Sequence, residues 1–360
     1  MEQASAKVTP VSVVLDTNVF VADFQMAGTA FSMLLTHSSR VGHKTYVPEV
    51  VFDEVVNKFR EQVSKSRENI EKELRFIQRI SGAGLRTPLG IRKQNEILGE
   101  YETDLYHMLI ATDVSIWPYP DASHKNLVGR ALNRMRPFSE NGKGYRDSLV
   151  WESVKEIAME SDDQPVILVT GNTTHFCDES ELLHPDLSGD ISCSGIETYI
   201  KIVPSLQSFI QEYVMPGLEK LDGIREQLIQ NQYPGLSLGA AVEDMVVKQF
   251  KDQQFPPSMM ALPREYGEAL VYHLIETTNI DVADVRRYDD DSIWVTAVCD
   301  VRCLVSFLIN KAFYYTIPPG ESPYIWNPDY DTEHVAGASE KCVRVRLSFI
   351  LNEKSHEIAH

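Results

Sequence analysis

The order of apolar and polar positions predicts an α/β arrangement in the first part of the chain. Short apolar runs such as Val11–Leu15 and Pro165–Thr170 are typical of buried strands. Residues 49–80 instead carry apolar side chains at steps of three, four and seven, which predicts one long amphipathic helix. Strands that alternate with helices form parallel sheets, which bind ligands at the carboxyl ends of their strands. The pattern further predicts strands at 46–48 and 199–203 and helices at 126–135, 145–159 and 205–212, with mixed character over 81–126.

After about residue 215 the pattern changes to one that predicts an α+β domain with an antiparallel sheet. Turn-rich stretches separate the predicted elements, which are helices at 239–253 and 263–276 and strands at 293–305, 312–317 and 342–351. Pro216-Gly217 and Pro234-Gly235 mark turns between the two regions. We therefore expect one domain over residues 1–212, a linker over 213–238 and a second domain over 239–360.

Charge and composition limit the range of functions that the chain can have. The chain has 360 residues, and 34 Lys and Arg against 52 Asp and Glu give a net charge of −18. Nucleic acids are bound mainly through Lys and Arg, so this chain can handle them only through a local basic patch or a metal ion. Five cysteines without a CxxC pair favour a reducing compartment. No signal peptide and no membrane-length apolar run are visible, so we expect a cytoplasmic protein without membrane association.

Acidic and amide side chains stand where a parallel sheet would bring them together. Asp16 ends the first strand, Glu54 and Asp147 lie near the starts of two helices, Asn172 follows the last strong strand, and Asp178 comes six residues later. Each alone has an ordinary explanation as a cap, a turn or a solvated side chain. Together they could hold Mg²⁺ or Mn²⁺, which prefer oxygen ligands. Such metals lower the pKa of a bound water and support phosphodiester displacement.

Four segments in this order resemble the PIN domain, a metal-dependent nuclease fold. They are Val14–Asn18, Val47–Glu54, Gly142–Asp147 and Ile167–Asn172. The chain is more similar still to a PIN-like group with a long helix after the second strand and an Arg-Pro-Phe segment, here 136–138. The resemblance covers about residues 11–212 and implies a three-layer domain with a central parallel sheet. It also implies an endonuclease in which Asp16, Glu54 and Asp147 bind Mg²⁺ or Mn²⁺, and whose products carry a 5′-phosphate and a 3′-hydroxyl.

The chain departs from the family pattern at the fourth acidic position. Asn172 stands there, and His175-Phe176 replaces the Asp-Phe with which the PIN-like group often ends this stretch. An amide can bind a metal through its oxygen but supplies no charge, so Asp178 is the predicted compensating ligand. Asn172 and His175 favour the alternative function, a catalytically weak or inactive PIN-like domain that binds nucleic acid or protein. Glu49 is a rival to Glu54 for the second acidic position.

Basic residues bracket the predicted site in sequence. Ten Lys or Arg against four Glu lie between Lys58 and Lys93, and six against one between Lys125 and Arg146. A solvated charged helix face is the alternative explanation for the first group. From the second group we predict phosphate contacts by Arg130, Arg134, Arg136, Lys143 and Arg146. The Gly-Lys-Gly turn at 142–144 can also present its main-chain N–H groups to a phosphate.

We expect RNA rather than DNA as the nucleic-acid substrate. Aromatic residues of the second domain, among them Tyr324 and Trp326, could stack bases or pack on the sheet. A protein or ligand partner is predicted for this domain, and a homo-oligomer is compatible with the sequence.

Two other enzyme classes are disfavoured by residues after the first strand. An aspartate phosphatase would need a second acid where Asn18 stands, and a nicotinamide-binding domain would need a GxGxxG segment there.

Overall fold

The computed structural model describes residues 9–359 apart from 83, 85–89, 140, 162–163, 197 and 319. The chain forms two compact units, Met1–Glu219 and Lys220–His360. The boundary between them falls inside a helix, Met215–Ile229, which occupies much of the segment predicted as a linker.

The first unit is built on a five-stranded parallel sheet with the strand order β3-β2-β1-β4-β5. Its strands are β1 (Ser12–Leu15), β2 (Lys44–Pro48), β3 (Val114–Trp117), β4 (Val166–Val169) and β5 (Ile200–Val203). Its helices are α1 (Thr17–Val21), α2 (Thr29–His37), α3 (Glu49–Ser81), α4 (Ile91–Ala111), α5 (His124–Leu132), α6 (Tyr145–Glu160), α7 (Thr173–Phe176), α8 (Pro185–Ser194) and α9 (Leu206–Phe209), followed by a π-helical turn (Ile210–Val214). The next helix, α10 (Met215–Ile229), is the one that contains the boundary between the units.

The centre of this sheet is fully buried and, apart from Ser12, apolar. Strand β1 pairs in parallel with β2 on one side and with β4 on the other, and every residue of β1 and β4 is buried. Helix α6 covers these strands with Val150, Trp151 and Val154, all at most 2% exposed. A parallel sheet covered by helices is the predicted architecture, and the structure confirms it.

Helix α3 confirms the predicted long helix, whereas α4 and β3 were missed within the mixed stretch 81–126. The two helices α3 and α4 pack along each other. The rings of Phe59 and Tyr101 stack with centroids 3.8 Å apart, and Arg67 donates a hydrogen bond of 3.0 Å to Gln94. The apolar period of α4 is hard to recognise in the sequence, because the polar residue Gln94 occupies a buried, inward position of the helix.

A buried histidine makes the first unit sensitive to acid. Nδ1 of His43 accepts a hydrogen bond from the Val11 N–H and Nε2 lies 3.2 Å from the Tyr213 carbonyl oxygen. Desolvation by burial lowers the pKa of His43 from 6.5 to about 4. Since the folded protein disfavours the protonated ring, stability is lost as the pH falls below 6.5, and the full loss is reached near pH 4.

We expect the free energy of unfolding to fall by about 2 kcal/mol between pH 7 and pH 5 on account of this residue. Urea titrations of the wild type and of His43→Gln should therefore converge as the pH is lowered. The exposed His107, replaced by Gln, serves as the control. Parallel curves for wild type and His43→Gln would contradict this assignment.

The second unit is built on a six-stranded antiparallel sheet, whose order is β11-β10-β8-β7-β6 with β9 paired to β10. Three of its strands are 19 residues long. The elements are α11 (Leu238–Phe250), β6 (Gln254–Phe255), a 3-10 turn (Pro257–Met260), β7 (Ala269–Arg287), β8 (Ser292–Asn310), α12 (Lys311–Tyr314), β9 (Tyr324–Asn327), β10 (His334–Asn352) and β11 (Ile358–Ala359). An antiparallel sheet was predicted here and is confirmed.

Two predicted elements of this unit are wrong. Residues 263–276 were expected to be helical, but β7 starts at Ala269, because Leu270 and Val271 pair with β8 and tertiary pairing overrides local preference. Residues 312–317 were expected to be a strand. There the Asn310 side chain accepts a 2.9 Å hydrogen bond from the Ala312 N–H and starts the short helix α12. Among the helices that are described in either unit, none is long and apolar enough to cross a membrane.

Candidate functional site

The candidate site lies at the carboxyl edge of the parallel sheet. Asp16 follows β1 directly, Glu54 lies in the second turn of α3 after β2, and Thr170 follows β4. Helix α6 contacts β1 and β4 and brings Asp147, in its first turn, to the same edge. The parallel topology therefore collects side chains that are up to 154 residues apart in sequence.

Asp16 is buried and held by three donors. The Thr17 N–H donates to Oδ1 at 2.7 Å, while the Asn18 amide and the Thr170 hydroxyl donate to Oδ2 at 2.7 and 2.6 Å. Burial raises the pKa of Asp16 to about 6 against the effect of these bonds, and the nearby carboxylates Asp147 and Glu54 raise it further. The site thus concentrates negative charge in a place that disfavours it, which a bound cation would relieve.

Glu54 joins the site through its two oxygens. Oε2 accepts a hydrogen bond of 3.0 Å from the Thr17 hydroxyl, and Oε1 forms an ion pair with Arg146 of α6. Its rival Glu49 faces elsewhere, since it accepts a bond from the Tyr119 N–H. The structure therefore brings Glu54 rather than Glu49 to Asp16.

Asp147 contacts two residues that follow β4, the N-cap residue Asn172 and His175 of α7. The Asn172 amide donates to Oδ1 at 3.3 Å, and His175 Nδ1 lies 2.8 Å from Oδ2. We assign the proton to His175 Nδ1, because a carboxylate oxygen can only accept. The position of Asp147 in the first turn of α6 also places it at the positive end of the helix dipole.

Asp178 is bound within its own turn, and three of the five predicted phosphate-binding residues are engaged with other protein groups. Asp178 Oδ1 accepts the N–H groups of Ser180 and Leu182 in its own turn, and no hydrogen bond in the described part of the chain joins it to Asp147. Lys143 and Arg134 are exposed. Arg146 points to Glu54, and the main chain of Arg136 is bound by Asp186 and by Arg130. Arg130 is only 10% exposed and forms an ion pair with Asp190.

The side chains of the site are of the types that bind a hard divalent cation, but they are not arranged around one point. Asp16, Glu54, Asp147 and the amide of Asn172 offer the oxygen ligands that Mg²⁺ and Mn²⁺ prefer. Within the described ranges, however, no three His, Cys, Asp or Glu side chains are placed closely enough to hold a metal ion. Arg146 on Glu54 and His175 on Asp147 supply protein donors at the atoms that a metal would use.

Sequence reasoning missed the residues that orient the carboxylates. Thr17 connects Asp16 to Glu54. Asn18 connects β1 to β4, because its amide donates a 3.0 Å hydrogen bond to the Thr170 hydroxyl oxygen and its Oδ1 accepts the Gly171 N–H. Their signal is present in the segments Asp16-Thr17-Asn18 and Thr170-Gly171-Asn172. Short polar side chains directly after buried strands can reach a neighbouring strand end.

Comparison with known proteins agrees with this geometry. Residues 13–176 match the family model of the PIN domain. The N-terminal unit is therefore a PIN-domain-like domain, and PIN domains are generally nucleases that use divalent metal ions. No curated protein matches the chain.

Proposed function

We propose that this protein is a metal-dependent endonuclease that hydrolyses phosphodiester bonds of RNA at the carboxyl edge of its parallel sheet. The observation that carries the proposal is the convergence of Asp16, Glu54 and Asp147 at that edge, within the PIN-domain match. Burial is the main cause of the raised pKa of Asp16, and Asp147 and Glu54 raise it further because their charges lie near it.

Asp16 and Asp147 would hold Mg²⁺ or Mn²⁺, with Glu54 completing the site and the Asn172 oxygen as a neutral ligand. When bound, the metal supplies a water of lowered pKa and neutralises charge on the phosphate. Thr17, Asn18 and Thr170 keep the Asp16 carboxylate oriented. Arg146 would exchange its ion pair with Glu54 for one with the substrate phosphate, because its side chain is 56% exposed. Lys143 and Arg134 would contact the phosphates of the nucleic-acid backbone. Asp178 would be the additional metal ligand that compensates for the missing charge of Asn172.

The test is cleavage of end-labelled single-stranded RNA and DNA with Mg²⁺, with Mn²⁺ and with EDTA. We expect RNA to be cut with either metal, to leave a 5′-phosphate, and to survive in EDTA. Absence of cutting with both metals, from protein that melts cooperatively, would contradict the proposal. Cutting of DNA in preference to RNA would contradict its substrate.

The protein donors on the carboxylates favour a second candidate, a PIN-like domain that binds nucleic acid without cutting it. Arg146 forms an ion pair with Glu54, His175 makes a hydrogen bond to Asp147, and Asn172 lacks the charge of the usual fourth acid. In that case the wild type retains RNA in a filter-binding assay at the same level with and without metal.

Asn172→Asp separates the two candidates. The new carboxylate would lie beside Asp147 Oδ1, so it should raise the affinity for Mn²⁺ at least about tenfold, which is about 1.4 kcal/mol. Titration followed by Mn²⁺ electron paramagnetic resonance measures this. An inactive wild type with an active Asn172→Asp variant supports the binding module, whereas an active wild type supports the nuclease. Unchanged Mn²⁺ affinity would remove position 172 from the site.

A further inference from the structure

A polar cleft lies in the first unit, and none of the candidate metal ligands is among the residues that line it. It has a volume of about 610 Å³, and residues of α5, α6 and α8 line it. Clefts of this size hold nucleotide-sized ligands. Three of its lining residues, Ser123, Lys125 and Asn126, form the N-terminus of α5.

The N-terminus of α5 has free donors. Ser123 at the N-cap makes no side-chain hydrogen bond to the helix, and the first turn has no acidic residue. Only from Leu127 onward does a main-chain N–H find a carbonyl, that of Ser123. The N–H groups of Ser123, Lys125 and Asn126 have no acceptor in the part of the chain that the structure describes. Uncapped helix N-termini attract anions through these groups and the helix dipole.

An unsatisfied arginine in the same cleft points independently to a ligand. The Arg130 side chain is nine-tenths buried. Its Nη1 binds Asp190 at 2.6 Å and its Nε binds the Arg136 carbonyl, but the buried Nη2 has no hydrogen-bond partner. Buried donors without an acceptor are rare, and each calls for an explanation. An anion in the cleft supplies the missing acceptor.

The acidic residues of the cleft are mostly engaged with protein donors. Asp190 accepts from Arg130 and from the Trp151 indole N–H, and Glu152 pairs with Lys155 at 2.8 Å. Asp121 is exposed at the rim. The groups that still offer hydrogen bonds to a ligand are therefore mainly donors, namely the α5 N–H groups, the Lys125 ammonium and Arg130 Nη2.

We propose that this cleft binds a phosphate group, through the N-terminus of α5, Lys125 and Arg130. The phosphate belongs either to a free nucleotide or to the end of a nucleic-acid chain. The proposal does not depend on the nuclease function, since it invokes neither the metal nor Asp147. Phosphate binding and metal-dependent cleavage can therefore fail separately.

Ser123→Asp tests the site without removing a structural side chain. An aspartate at the N-cap accepts the free N–H groups itself, which stabilises the helix while it blocks the anion. Lys125→Glu is the second variant, because Lys125 is exposed. Ser237→Asp is the matched control, since Ser237 is likewise an N-cap without a side-chain bond, on α11 of the second unit.

Calorimetric titration in EDTA at constant ionic strength measures binding of inorganic phosphate and of AMP. We expect millimolar or tighter dissociation constants for wild type and Ser237→Asp, and at least tenfold weaker binding for Ser123→Asp and Lys125→Glu. A 5′-phosphorylated oligoribonucleotide that binds more tightly than its 5′-hydroxyl twin assigns the site to chain ends, and equal binding of the two assigns it to free nucleotides. No binding of phosphate or AMP to the wild type, or equal binding to Ser123→Asp, would overturn the proposal.

Discussion

Replacement of Asp147 by asparagine is expected to reduce metal-dependent cleavage at least about 100-fold, which corresponds to about 2.7 kcal/mol of lost transition-state stabilisation. The carboxylate lies at the N-terminus of α6 and is one of three charges around the proposed metal. With Asn172 already uncharged, a second amide would leave two carboxylates to hold the metal. Multiple-turnover rates on labelled RNA, at saturating and subsaturating Mn²⁺, measure the effect.

Asp244→Asn is the matched control for this change. Asp244 lies exposed on α11 of the second unit and pairs with Lys248, so the same chemical change there should leave cleavage unaltered. Asp178→Asn, measured alongside, tests the predicted compensating ligand. If Asp147→Asn cleaved RNA at the wild-type rate while keeping its fold, Asp147 would have no role in the reaction.

Replacement of Gly144 by alanine is expected to destabilise the first unit by about 3 kcal/mol or more and to abolish cleavage. Gly144 is the N-cap of α6 at φ 129°, a conformation that a residue with a Cβ rarely adopts. An added Cβ would lie 2.5 Å from the Pro137 carbonyl oxygen and 2.8 Å from Phe138 Cα. Since both are main-chain atoms, relief requires the start of α6 to move, and Asp147 moves with it.

Gly142→Ala is the control for Gly144→Ala. It lies in the same turn at φ 72°, but no atom approaches within 4 Å of the added Cβ, so it should cost only about 1 kcal/mol. Chemical denaturation gives the free energies, and cleavage rates at low temperature report the site. Equal stability of the two variants would show that the close contact at Gly144 is not rigid.

The turn around Gly144 also differs in part from what the sequence predicts about phosphate binding there. The Gly-Lys-Gly segment was expected to offer its N–H groups to a phosphate, beside Lys143 and Arg146. Of the three N–H groups in this segment, that of Gly142 is already bound by the Ser139 carbonyl, and Arg146 holds Glu54. A local sequence shows which groups a turn contains, but not which of them the neighbouring chain has already satisfied.

Much of the candidate site could be predicted because its residues sit at element ends that the sequence marks clearly. Asp16 follows a strand of four buried residues, three of them apolar, and Asp147 follows a turn with two glycines. Thr17, Asn18 and Thr170 could not be assigned in this way. Their role depends on which strands are neighbours, and β1 lies beside β4 although about 150 residues separate them.

The sequence by itself determined four of the five strands of the first unit and its long helix α3, since buried parallel strands need continuous apolar runs and a long amphipathic helix needs a regular period. It also determined the acidic residues at the strand ends. Only the tertiary structure decided that β7 starts at Ala269 within the predicted helix 263–276, that Glu54 rather than Glu49 faces Asp16, and that Arg130 turns inward to leave a buried donor free. These outcomes depend on pairing and burial between distant segments, and such contacts carry free energies as large as the local preferences that a sequence pattern expresses.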